Sequence, residues 1–184
     1  MNTSLARSAA RSLTVATIAA LLAACAGDAP LSPDRAPGLE PAARLASTAA
    51  DNVALATLRR VTARYHDLDV AIAEGFVLLH ECESRPGEGP VGIVYYNPAR
   101  LLDGVVDESL PDALIYEPVD GGRPKLVGVE FAVLDAGQAP PTFLGATFQR
   151  EEEFGVLALH AWVWRQNPEG MFAETNPRVS CTAE

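Results

Sequence analysis

The 184-residue chain contains very little lysine and no extended run of basic residues. Lys125 stands beside thirteen arginines, and the formal net charge is -10 at pH 7. Arg7 and Arg11 lie in a predicted leader, and loss of these two positive charges takes the net charge from -10 to -12. Because binding to a phosphate backbone requires clustered positive charge, we expect no nucleic-acid partner.

Motifs of nucleophilic catalysis and of phosphate binding are missing as well. The chain has no Gly-x-Ser-x-Gly segment, no glycine-rich phosphate loop and no paired catalytic cysteine. Its composition is 48% hydrophobic and 21% charged, which supports a folded core and excludes wholesale disorder. These observations predict one domain with appendages, but they assign no activity.

Cysteine is scarce, and the first of the three, Cys25, directly follows a predicted lipoprotein signal peptide over residues 1–24. Two arginines precede an apolar run, residues 13–22, that is too short to span a bilayer as a stable helix. The next residues, Leu22 to Cys25, read Leu-Ala-Ala-Cys and resemble a bacterial lipobox. That resemblance implies attachment of a diacylglyceryl group to the Cys25 thiol. An ordinary leader that happens to contain this cysteine is the alternative.

Residues 25–47 are predicted to be the lipidated cysteine followed by a Pro/Ala-rich tether, because the segment lacks any apolar period. The tether would hold the folded part away from the membrane that the lipid enters. Ala26 follows the cysteine, and by resemblance to Gram-negative lipoproteins a residue other than Asp there implies the outer membrane. The expected location is the bacterial cell envelope, with the protein lipid-anchored and facing the periplasm.

Residues 48–184 are predicted to form a single α+β domain that begins with a long amphipathic helix. A capping-box pattern starts at Thr48, and apolar residues then recur at spacings of three and four as far as Phe76. Gly75 is expected to end this helix after Glu74.

Strand-like segments follow the helix, at residues 76–81, 91–96, 113–117, 125–134 and 156–164. The turn Asp120-Gly121-Gly122 predicts a hairpin between the third and fourth of them. The predicted fold class is therefore α+β, with one long amphipathic helix packed on an antiparallel sheet of about five strands, and one disulfide.

The fourth predicted strand places a carboxylate opposite an apolar face. Four residues should face the helix together, and these are Val127, Val129, Phe131 and Val133. Glu130 lies on the other face between Gly128 and Ala132, whose small side chains leave room for something to approach it. An exposed sheet face is the alternative.

Two cysteines remain after lipidation, and in an oxidising compartment Cys82 and Cys181 are expected to pair. The bridge would close a loop of about a hundred residues. A metal site built from His80 and Cys82 is the alternative, although no second Cys-x-x-Cys or His pair lies nearby.

Both tryptophans lie in residues 155–181, which also hold one of the three histidines. At period two His160, Trp162 and Trp164 share one face of a strand. Asn167-Pro168 and Asn176-Pro177 then predict two turns in which each Asn caps its own backbone.

Several segments together resemble an uncharacterised family of small bacterial exported proteins. The longest motif is H-x-W-x-W-x-x-N-P-x-G-x-F…N-P-x-V-x-C, from His160 to Cys181. Shorter segments correspond to R-Y-H-D, G-x-H-Y-x-N-P, Y-E-P and V-E plus an aromatic, and they lie at residues 64–67, 92–98, 116–118 and 129–131. The resemblance covers roughly two thirds of the chain and implies no established activity.

The resemblance also implies a two-histidine, one-carboxylate metal site. Its ligands would be the His of the G-x-H-Y segment, Glu130 and His160, but Val94 occupies the first position here. A third ligand would then be His80 or water, and a divalent transition metal is the only cofactor that these residues suggest.

Three functions compete. The first is a non-catalytic, membrane-tethered binding module for a small molecule, in which His160, Trp162 and Trp164 form an aromatic pocket with Tyr95 or Tyr116; in the alternative both tryptophans are core residues. The second is a metal-dependent enzyme that uses Glu130 and His160. The third is an envelope structural or assembly protein whose acidic surface meets a cationic protein partner.

Overall fold

The computed structural model describes residues 41–182. The predicted signal peptide, the lipidated Cys25 and most of the predicted tether lie outside this range. The elements follow one another in the order α1 Pro41–Thr62, a 3-10 helix Ala63–His66, α2 Leu68–Ala73, β1 Val77–Arg85, β2 Gly89–Tyr96, α3 Pro98–Leu101, β3 Ala113–Glu117, β4 Lys125–Leu134, β5 Thr142–Phe143, β6 Ala146–Thr147, β7 Gln149–Glu151 and β8 Val156–Ala161.

Six of the strands form one antiparallel sheet in the order β1-β2-β3-β4-β8-β7. The sheet curls, because its two edges approach each other. Arg85 of β1 pairs with Glu151 of β7, and His80 of β1 stacks on Phe154 of the β7–β8 turn with ring centroids 6.3 Å apart. β5 and β6 form a separate two-stranded sheet.

The predicted fold, one long helix on about five strands, is wrong in both of its parts. The helical segment is broken, since α1 ends at Thr62 and α2 begins only at Leu68. Asp67 between them has an extended backbone, with φ -95° and ψ 105°, and its side chain accepts the N–H of Asp69. Asp therefore acts here as the N-cap of a second helix instead of continuing the first. The prediction that Gly75 ends the helical segment is confirmed, and its φ is +93°.

The sheet has a sixth strand because residues 149–151, which look like part of a polar loop in the sequence, pair with β8 as β7. An edge strand open to solvent needs no alternation of apolar residues, and the sequence pattern therefore gives no signal. At the other end of the chain α1 begins at Pro41, so that residues 41–47 of the predicted tether are helical.

Side chains on the two faces of the sheet pack into separate cores. The helix face carries the main core, in which residues of α1, the 3-10 helix and α2 meet Leu114, Tyr116, Val129, Phe131, Leu157 and Leu159. We call the opposite side the inner face, since the edges of the sheet curl toward it; its central residues are Val94, Ala113, Ile115, Val127, Glu130, Ala132, Ala158 and His160.

Val127 lies on the inner face, and the prediction that it points toward the helix with Val129 is wrong. Ile115 is the register partner of Gly128 and Tyr116 is that of Leu126, so that Val127 is an extra residue in β4. Such a β-bulge reverses the alternation of side chains on one side of it.

The chain after β8 returns across the inner face and is held there covalently. Cys82 of β1 is bonded to Cys181, which confirms the predicted disulfide. The two Asn-Pro turns are confirmed as well, because Asn167 Oδ1 accepts the N–H of Glu169 and Asn176 Oδ1 accepts that of Arg178. Within residues 41–182 no helix has the length and apolar character needed to cross a bilayer.

Candidate functional site

Glu130 and His160 face each other on the inner face of the sheet. They are register partners in β4 and β8, which places their side chains side by side. Glu130 Oε2 lies 3.5 Å from His160 Nε2, and both side chains are largely buried. The sequence indicated both residues as candidates, and the fold brings them together.

The surroundings of His160 favour a proton on the ring nitrogen that faces Glu130. His160 Nδ1 lies 2.5 Å from the carbonyl oxygen of Glu174, and since a carbonyl only accepts, Nδ1 is the donor. A neutral ring would then direct the lone pair of Nε2 at a carboxylate. Burial lowers the pKa of His160, but the hydrogen bond and the charge of Glu130 outweigh burial and raise it above its usual value. The surroundings of His160 therefore favour its imidazolium form.

Asp112 supplies a second buried carboxylate. It directly precedes β3, and its backbone N–H donates to the carbonyl of Glu130 at 2.9 Å. Its Oδ2 accepts the N–H of Ala132 at 2.9 Å, and only 2% of the residue is exposed. Burial raises the pKa of Asp112 to about 6, and the charges of Asp103 and Glu130 add to this shift, while the Ala132 hydrogen bond opposes it.

Asp112 and Glu130 line one cavity of about 190 Å³. Leu79 of β1 and Phe154 of the β7–β8 turn flank its mouth and are 38% and 39% exposed. Apart from the two carboxylates the lining is apolar or aromatic, and consists of Leu79, Tyr96, Leu101, Ala113, Ala132, Phe154 and Val156. An apolar wall with a few converging polar groups is the usual form of a small-molecule site.

A second acidic group lies where the edges of the sheet meet. Arg85 pairs with Glu151 of β7 and with Glu174 of the C-terminal segment, at 3.3 Å each. Burial raises the pKa of Glu151 to about 7, a hydrogen bond with Glu174 adds to the shift, and Arg85 opposes it. Carboxylates thus outnumber cations along this side of the sheet.

Only one of the two tryptophans lies with His160 as the sequence predicted, namely Trp162, whose ring centroid is 6.0 Å from that of His160. β8 ends at Ala161, and both tryptophans therefore lie beyond the strand. Trp162 stays on the inner face, is 3% exposed, and donates from Nε1 to a backbone carbonyl of the C-terminal segment at 2.6 Å. Trp164 packs against the core of the helix face, and its Nε1 donates to Thr62 Oγ1 at 3.2 Å. The two indoles therefore diverge.

The bulge in β4 accompanies the early end of β8 at Ala161. The carbonyl of Val127 accepts the N–H groups of both Trp164 and Arg165, a pattern that a regular ladder does not allow. The space beside Gly128, which seemed open to a ligand, is filled by Trp162, since a Cβ at position 128 would lie 3.2 Å from Trp162 Cε3. The open space beside Glu130 is on its Ala132 side.

Soluble quenchers should reach the two indoles unequally, because Trp162 is nearly fully buried whereas Trp164 is only partly buried. The Trp164→Phe protein, which keeps Trp162, should show a Stern–Volmer constant for iodide several-fold smaller than that of the Trp162→Phe protein. Circular dichroism of both variants serves as the control for folding. Equal constants in two folded variants would contradict this placement.

Tyr95 and Tyr116 lie on the helix face, away from Glu130. Their rings meet edge to face with centroids 5.7 Å apart. The Tyr116 hydroxyl donates to the carbonyl of Tyr65 at 2.7 Å, and the residue is fully buried. Burial raises the pKa of Tyr116 above its usual value. Both tyrosines therefore pack in or against the core on the side of the sheet away from the cavity.

His80 does not join Glu130 and His160. Its Nδ1 bonds to the carbonyl oxygen of Glu81 at 2.8 Å, and its ring stacks on Phe154 where the edges of the sheet meet. In the part of the chain that the structure describes, no three His, Cys, Asp or Glu side chains are grouped so that they could hold a metal ion.

Sequence reasoning missed Asp112, Tyr96 and Phe154. Asp112 leaves one local signal, since it is a charged residue directly before a strand without polar residues until Glu117. Phe154 follows three acidic residues that look like a solvated turn, and only the curl of the sheet brings its ring to the cavity.

Comparison of this chain with models of protein families, with curated proteins and with solved structures finds no match. The geometry of the cavity and its charged groups therefore carries the functional argument.

Proposed function

We propose that this protein is a lipid-anchored binding module of the bacterial cell envelope, and that the cavity beside Asp112 and Glu130 holds a small amine with an apolar body. The observation that carries the proposal is the convergence of two largely buried carboxylates in one apolar cavity. Glu130 lies beside His160, whereas Asp112 forms no ion pair within residues 41–182.

The charge of Asp112 supports a cationic ligand. A carboxylate that is 2% exposed and has a single backbone hydrogen bond is costly to ionise. An ammonium group within hydrogen-bond distance would favour the ionised form by direct charge attraction. The acidic net charge of the protein also attracts cations over longer distances.

The dimensions support a ligand of modest size. The cavity of about 190 Å³ is comparable to the engineered cavity of about 150 Å³ that takes benzene. Tyr96 and Phe154 supply aromatic surface for an apolar body or for the ammonium itself. A single ring or a short branched chain that carries one amine matches this space.

The cellular location in this proposal comes from the sequence. The Leu-Ala-Ala-Cys segment that ends at Cys25 supports lipidation after export. The disulfide between Cys82 and Cys181 supports an oxidising compartment, since such bonds do not persist in a reducing cytosol.

A panel of primary amines that includes benzylamine tests the proposal by isothermal titration calorimetry on the full chain, with benzyl alcohol as the uncharged counterpart. We expect the amine to bind at least about tenfold more tightly than the alcohol, because only the amine makes charge-assisted hydrogen bonds. Binding should weaken as the pH falls through about 6, where Asp112 takes up a proton.

Asp112→Asn and Ala132→Leu should each remove binding, the first by loss of charge and the second by filling the cavity. Asp120→Asn is the matched control, because it makes the same change of charge in the exposed β3–β4 turn. Equal affinity for amine and alcohol, or a panel in which no amine binds, would contradict the proposal.

A further inference from the structure

A second cavity, of about 340 Å³, lies on the helix side of the chain and shares no lining residue with the first. Its distinguishing feature is three arginines in a strongly acidic protein. The lining residues are Arg60, Val61, Arg64, Tyr65, Arg100, Ser109, Leu110 and Pro111. We propose that this cavity is a binding site for an oxyanion of the phosphate type.

Arg100 is held in place without a carboxylate. Its Nη1 donates to the carbonyl of Pro111 at 2.7 Å, and its Nη2 donates to the Tyr65 hydroxyl at 3.0 Å. The guanidinium lies over the ring of Phe76, with 4.8 Å from Cζ to the ring centroid. These contacts use two of its five N–H groups. A guanidinium fixed in this way loses little freedom when it binds an anion.

Tyr65 connects Arg100 with Arg64. The Tyr65 hydroxyl donates to Glu74 Oε2 at 2.7 Å, and Arg64 Nη2 lies 3.3 Å from the same hydroxyl oxygen. Arg64 also pairs with Glu74. One carboxylate and one phenol thus hold two guanidinium groups at the same cavity.

The positive charge of the cavity is not fully compensated by ion pairs. Within the described range, the pair of Arg64 with Glu74 is the only salt bridge that these three arginines make. The charge of Arg100 acts on the carboxyl groups of Glu74, Asp107 and Asp112, but none of them forms an ion pair with it within the described range. The carboxylate of Asp107 instead accepts the hydroxyl and the N–H of Ser109 at 2.7 and 2.8 Å. Arg60 is exposed at the rim and makes no hydrogen bond or ion pair with described residues.

Phosphate-type oxyanions match this arrangement better than other ligands. Guanidinium groups recognise phosphate through paired N–H donors, and a dianion can accept from two or three of them at once. The oxyanion could be a free phosphate monoester or the phosphate of a lipid head group, and both present the same tetrahedral oxygens. The proposal does not rest on the amine cavity, although the charge of Arg100 opposes the rise in the pKa of Asp112.

Isothermal titration calorimetry of the full chain with two probes tests the proposal. Inorganic phosphate represents the free oxyanion, and glycerophosphoglycerol represents the head group of an anionic phospholipid. We expect at least one probe to bind, with an affinity that falls as salt increases. Arg60→Gln/Arg64→Gln should weaken binding at least about tenfold, because charge-assisted hydrogen bonds are lost. Both side chains are largely exposed, and the variant should therefore stay folded.

Arg123→Gln/Arg178→Gln is the matched control, since it removes two exposed positive charges that do not line the cavity. It should bind like the unaltered protein. Preference for inorganic phosphate assigns a free oxyanion, and preference for glycerophosphoglycerol assigns a lipid head group. The proposal is overturned if neither probe binds, or if the two double variants weaken binding equally, which would reveal only a general effect of net charge.

Discussion

The Cys82→Ser/Cys181→Ser protein should unfold with a free energy about 4 to 5 kcal/mol lower than that of the unaltered protein at 25 °C. The bridge joins residues 99 apart in sequence, and it therefore restricts most of the unfolded chain. Its loss increases the conformational entropy of the unfolded state far more than that of the folded state. Urea unfolding followed by circular dichroism measures the difference directly.

The control for this first prediction is the unaltered protein in the presence of a reducing agent, whose stability should match that of the double variant. A decrease below about 1 kcal/mol in both samples would contradict the entropic argument. Loss of the disulfide should also affect the cavity beside Asp112 and Glu130. Glu174, whose carbonyl accepts from His160, lies in the segment that the bridge holds against the sheet, and amine binding should weaken under reducing conditions.

Asp112→Asn should stabilise the protein at pH 8 by about 2 kcal/mol. The pKa of Asp112 rises from 3.8 to about 6 on folding, and each pKa unit corresponds to about 1.4 kcal/mol. The full shift corresponds to roughly 3 kcal/mol, and some relaxation around the carboxylate reduces this figure. Asparagine keeps an oxygen that can accept the N–H of Ala132 but carries no charge to desolvate.

The pH dependence separates this effect from a general change in stability. Since folding raises the pKa of Asp112, the carboxyl contributes stability that is fully present below about 3.8 and is lost as the pH rises through about 6. The advantage of the variant should therefore disappear between pH 8 and pH 4. The pKa of His160 is also raised on folding, and its contribution to stability therefore also falls as the pH rises. That contribution is present in both proteins, because the substitution leaves His160 unchanged.

Urea unfolding at pH 8, 6 and 4 measures the difference between the two proteins, and Asp120→Asn, in an exposed turn, should show almost none. A variant less stable than the unaltered protein at pH 8, or a difference that does not change with pH, would contradict the assignment. If the charge of Asp112 serves binding at a cost in stability, the Asp112→Asn protein should be more stable than the unaltered protein but should no longer bind the amine.

Local patterns in the sequence predicted much of the sheet. β3 and β4 span the predicted residues 113–117 and 125–134, because each carries a run of apolar residues and Asp120-Gly121-Gly122 can only be a turn. Gly75 and the two Asn-Pro turns were predictable for the same reason, since glycine and asparagine act through their own backbone. The pairing of Cys82 with Cys181 followed from elimination once Cys25 was assigned to a lipid anchor.

Other features depend on contacts between distant segments. The break at Asp67, the sixth strand at residues 149–151 and the bulge at Val127 have no counterpart in apolar periodicity. β8 ends at Ala161, and Trp164 lies on the opposite side of the sheet from Trp162. The residues of the predicted aromatic pocket therefore lie in two separate environments.

The sequence by itself determined where most strands lie, which cysteines pair and that Glu130 and His160 are candidates, because each of these follows from neighbouring residues or from residue chemistry. Only the tertiary structure decided that Asp112 joins Glu130 in one cavity and that Arg64 and Arg100 meet at the Tyr65 hydroxyl. The physical reason is that side-chain direction repeats locally every two residues in a strand, whereas the curl of a sheet and the ends of its strands are determined by what packs across it.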